Sequence, residues 1–104
     1  MNEIAPSSSY IRRVADVETA NASRYLQQLC KHFQHNLPVA FDPHAGRIEF
    51  SSGECRLQAD DARVQLFLAA PDAEAMERLQ DVVARHLLRF AFREDLKVDW
   101  RAAE

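Results

Sequence analysis

The sequence predicts an α+β two-layer sandwich: an antiparallel sheet with two helices on one face, in the order β-α-β-β-β-β-α-β. Three observations carry this. Between Leu37 and Leu68, four short segments keep their apolar residues at one parity, with turn residues between them, which marks an antiparallel meander. On either side, a longer segment repeats its apolar residues at steps of three and four, the period of a helix with one buried stripe. The other strand parity carries Arg47, Glu49, Glu54, Arg56, Arg63 and Gln65, a face suited to water.

Each element has its own warrant. Met1 to Ser9 is polar and small and reads as a flexible tail; residues 10–101 read as one domain. Tyr10 to Val17 is rich in β-branched residues and gives the first strand. Asn21 offers a side-chain cap to a helix whose stripe is Tyr25, Leu26, Leu29, Cys30 and Phe33, and Pro38 ends it. Leu37, Val39 and Phe41 form the second strand, and Asp42 to Gly46 turns the chain. Ile48 and Phe50 form the third, Ser51 to Gly53 the next turn, Cys55 and Leu57 the fourth, and Val64, Leu66 and Leu68 the fifth. Asp72 caps a second helix running to about Ala91, with Glu74–Arg78 and Asp81–Arg85 four apart on its wet side. Leu96, Val98 and Trp100 alternate and predict a last strand. A right-handed crossover then gives the sheet order 1-5-4-3-2. That topology is similar to the half-repeat of the TATA-binding protein and to helix-grip folds, a likeness of architecture and not of function.

Composition excludes several classes. With 104 residues there is room for one core. The formal charge of 13 − 16 = −3 and the lack of a basic run argue against a nucleic-acid partner. No apolar stretch is long enough to span a membrane, and the N-terminus lacks the pattern of a secretory signal. Two cysteines fit a reducing, cytoplasmic setting better than a disulfide scaffold. No GxSxG, Gly-rich phosphate loop or HExxH occurs, so the expectation leans away from an enzyme.

From Arg24 to His35 the chain reads RYLQQLCKHFQH. With FDPHAGRIEF, GECRL and the late LLRFAFREDL, it resembles the bacterial family of domain of unknown function 2218 over roughly Arg13 to Trp100. The resemblance implies a stand-alone cytoplasmic bacterial domain with no assigned activity, some members of which are associated with siderophore-iron handling. It carries over no functional residues.

The residues most able to carry chemistry are Cys30, His32 and His35, with His44 and Cys55 downstream. On a helix, His32 and His35 lie about 5–6 Å apart at Cβ and can share a transition-metal ion. The bland alternative is a solvated helix face. Cys30 lies on the buried stripe, about 200° round the helix from His32, so the two cannot hold one ion. His44, at the far end of the second strand, is expected roughly 20 Å from His35 at about 3.3 Å per residue. Cys55 and Cys30 share inward parity at one end of the sheet and are expected to face each other as unbonded core thiols. His86 reads as a satisfied structural histidine, and Asp60-Asp61 as a turn. The functional expectation is a binding or accessory module for a small ligand or protein partner, linked to iron or metal handling through His32 and His35. The alternative is a thiol-based redox protein or small enzyme using Cys30 and Cys55.

Overall fold

The structure is a computed structural model that describes residues 10–103; the tail expected over residues 1–9 lies outside them. Its elements are β1 (Ile11–Glu18), α1 (Ala22–Phe33), β2 (Val39–Phe41), β3 (Ala45–Phe50), β4 (Gly53–Ala59), β5 (Arg63–Ala70), α2 (Ala73–Phe90) and β6 (Arg101–Ala102). They form one antiparallel sheet in the order β2-β3-β4-β5-β1-β6. The expected 1-5-4-3-2 arrangement is present, with β6 added outside β1. No described helix is long and apolar enough to cross a membrane.

Strand parity sorts the side chains as expected. Ala15, Val17, Ile48, Cys55, Leu57, Val64, Leu66 and Leu68 are buried on the face covered by both helices. From the helices, Tyr25, Leu26, Leu29 and Cys30 of α1 and Met76, Leu79, Val83 and Leu87 of α2 enter the same core. Burying one such leucine is worth about 1.5–3 kcal/mol, so this single cluster dominates the stability. Gly53 opens β4 with φ +158°, and a Cβ there would run into the Ala69 carbonyl oxygen. Only glycine permits the close β4–β5 approach at that turn.

Three local expectations need correction. Asn21 occupies the N-cap position of α1, but its side chain makes no capping hydrogen bond and is drawn away by another partner. Asp72, by contrast, accepts from the Ala75 N–H at 2.8 Å and caps α2 as expected. Pro38 does not set the end of α1: the helix stops at Phe33, and a further turn closes by the Leu37 N–H donating to the Phe33 carbonyl. The segment 96–100 is not a strand. Leu96, Val98 and Trp100 do pack against the core, yet pairing with β1 begins only at Arg101. Alternation reports which side chains turn inward, and an unpaired extended chain alternates as well as a strand does.

Candidate functional site

Where α1 ends, it meets the last turns of α2, and the aromatic and imidazole side chains of both helices come together. The His32 ring lies 4.9 Å from that of His86, centroid to centroid, tilted by 44°. Phe33 packs edge-on to His32 at 4.8 Å and lies 4.9 Å from His86. Phe90 and Phe50 close the cluster, Phe90 at 5.7 Å from His32 and Phe50 at 4.9 Å from Phe33. The partner of His32 is therefore His86 across the helix pair, where the sequence reading looked to His35 on the same helix. His35 is exposed and near enough to act on His32 through its charge.

His86 has a fixed tautomer. Its Nδ1 lies 2.7 Å from the Val82 carbonyl oxygen, which can only accept, so Nδ1 carries the proton. The Nε2 lone pair is left for another partner, and a backbone carbonyl holding the second ring nitrogen is the usual support of a metal-binding histidine. Partial burial, and then the neighbouring His86, His35 and Arg89, hold His32 below the ordinary imidazole pKa. His32 thus favours the neutral form that ligates metals. Among the described residues, no three His, Cys, Asp or Glu side chains converge into a metal cluster.

The two thiols are core groups. Cys30 and Cys55 are fully buried and unbonded, and each lies on the helix–sheet interface. Burial pushes the Cys30 thiol up to about 11. Burial raises Cys55 still further, with the neighbouring Cys30 and Glu54 adding to it. A thiol held protonated and away from solvent is a poor nucleophile and a poor ligand. His44 sits in the β2–β3 turn, beside the start of α1, where the Ser23 hydroxyl donates to the Pro43 carbonyl at 2.6 Å. That is the opposite end of the helix from His35. Asp60 accepts from the Ala62 and Arg63 N–H groups and shapes its turn.

A second polar cluster escaped the sequence reading. Glu94, just beyond α2, accepts from the Thr19 hydroxyl at 2.8 Å, the Asn21 amide at 2.7 Å and the Tyr25 hydroxyl. These donors hold Glu94 below the usual carboxylate range, Tyr25 first, while the bond to Glu94 pushes the Tyr25 phenol up. The network ties the β1–α1 junction to the turn after α2. Tyr25 and Glu94 fall inside the strings RYLQQLCKH and LLRFAFREDL, while Thr19 and Asn21 precede the first, and nothing in their spacing pairs them.

Fold and site together define a small single-sheet α+β domain with an imidazole pair between its helices. Residues 14–101 match the family described as uncharacterised proteins conserved in bacteria, domain of unknown function 2218, and the chain belongs to that family. It is similar to the NMR structure of PA4090 from Pseudomonas aeruginosa, at 38% identity and a TM-score of 0.76, over 90% of this chain and 98% of that one. No curated protein matches the chain.

Proposed function

We propose that this domain is a binding module for a late transition-metal ion, held between α1 and α2 by His32 and His86 in an accessory, metal-handling role. The observation that carries the reading is the ring pair at 4.9 Å with the His86 tautomer already fixed by Val82. Imidazole suits zinc, copper, nickel and iron. Two ligands leave coordination positions open to solvent, and the nearby Arg89 opposes a cation, so binding is weak and reversible. This suits an ion that is passed on rather than one that holds the fold. The two unbonded thiols fit a reducing, cytoplasmic setting. The alternative redox reading has less support, because both sulfurs are buried and protonated.

Calorimetric titration with Cu²⁺, Ni²⁺ and Zn²⁺ tests the proposal. His32→Ala and His86→Ala are each expected to abolish measurable binding, whereas His35→Ala weakens it modestly. Binding should fade as the pH falls and protons compete for His32, whose pKa lies below the ordinary imidazole value. Equal affinity in the wild type and in both variants would remove the site.

A further inference from the structure

We propose that the open face of the sheet carries a second, independent site, for a small ligand with a flat apolar body and one carboxylate or phosphate group. The pairing register lines up a row of residues across this face: Ala40 of β2, Arg47 of β3, Arg56 of β4 and Phe67 of β5. The row runs through a shallow concavity of about 690 Å³ that lies largely open to solvent. Ala40 and Ala45 on its β2–β3 side are short and leave it open, and the half-buried Phe67 ring lines its far side. An aromatic ring beside a guanidinium is a stacking platform for a planar group.

Charge supplies the second half of the argument. Arg47 and Arg56 are direct cross-strand partners, and like charges placed opposite each other destabilise a sheet. Glu54 stands between them, with Oε1 3.5 Å from Arg47 and Oε2 2.5 Å from Arg56. Glu49 takes the other side of Arg47 at 3.1 Å. Asp42, on the rim, is turned to the N–H groups of His44 and Ala45. Arg56 remains 65% exposed, and Glu54 is its one carboxylate partner among the described residues. A ligand oxyanion that displaces Glu54 from Arg56 gains a two-pronged contact, while the ligand ring covers Phe67. Glu54 thus holds the place of the ligand's anionic group.

The test is a titration of ¹⁵N-labelled protein, followed by amide shifts, with benzoate and phenyl phosphate as probes and benzyl alcohol as the uncharged control. Shifts confined to Ala40–Arg47, Arg56–Gln58 and Phe67 are expected with at least one anion, and the stronger of the two tells carboxylate from phosphate. Arg56→Gln and Phe67→Ala should each weaken binding about tenfold. Glu54→Gln should strengthen it about threefold, the scale of one surface ion pair, because the competing carboxylate is gone. The two surface variants keep the test valid if Phe67→Ala fails to fold. Absence of localised shifts with both anions, equal shifts with benzyl alcohol, or a Glu54→Gln variant that binds no more tightly would overturn the proposal.

Discussion

Gly46 lies directly beneath the Cys30 sulfur: a Cβ at Gly46 would come within 2.8 Å of Sγ, and within 3.3 Å of the Phe41 Cβ. The absence of a side chain on β3 is what lets α1 settle onto the sheet at this point. Gly46→Ala should destabilise the fold by about 1–3 kcal/mol through overpacking. Cys30→Ala alone should cost about 1–2 kcal/mol as a small core truncation. Because each change relieves the other, the double variant should be more stable than the sum predicts. Urea denaturation of the four proteins measures the coupling, and simple additivity would show that the two positions do not meet.

Thiol chemistry should follow unfolding rather than surface access. With both sulfurs buried and their thiols raised in pKa, a bulky thiol reagent at neutral pH should label neither Cys30 nor Cys55 in the native protein. In mild urea both should react at one common rate. Rapid native labelling of either would show that the interface opens locally.

The lowered pKa of His32 makes stability depend on pH in a definite direction. The folded state favours neutral imidazole, so the unfolded chain binds more protons once the pH falls below about 6.5. Stability should therefore decline from that point down to the lower folded-state value, then level off as far as this group is concerned. Burial is the first cause of the effect, and the neighbouring His86, His35 and Arg89 add to it. His32→Gln should flatten the slope in a series of thermal melts, and an unchanged slope would assign it elsewhere.

The Glu94 hub acts in a different pH window. Its three donors favour the carboxylate, so its contribution is full above about pH 4.3 and is lost as the pH falls through the lowered folded value. Tyr25→Phe removes the first of the donors. It should lower Tm at neutral pH and soften the acid transition, without affecting the metal binding proposed for His32 and His86. Melts at neutral and acid pH, paired with the metal titration, separate these effects.

What could be read from the sequence was what repeats locally. Val64, Leu66 and Leu68 declare a strand by parity alone, and Leu26, Leu29, Cys30 and Phe33 declare a helix by spacing. Asn21 misled because a capping side chain has competitors, and the winning acceptor, Glu94, lies 73 residues away. The surroundings of His32 were only half legible for the same reason. Its neighbour three residues on was visible, but the crossing of α1 and α2 that brings His86 to it is a property of packing. Cys30 and Cys55 were easier to place, since inward parity at one end of a sheet leaves little freedom.

The short strand β6 has a consequence for how this molecule behaves in a crowd. Arg101 and Ala102 occupy the outer edge of β1 at Val14 and Arg13, and the Ala103 N–H adds a bond to the Arg12 carbonyl. Without them, an eight-residue strand would present unpaired donors and acceptors along its first half, a template on which another chain can extend the sheet. The opposite edge is guarded differently, by a β2 only three residues long with Pro38 just before it. A chain cut before Arg101 would keep its core and its histidines, yet we expect it to self-associate with rising concentration, as light scattering would show.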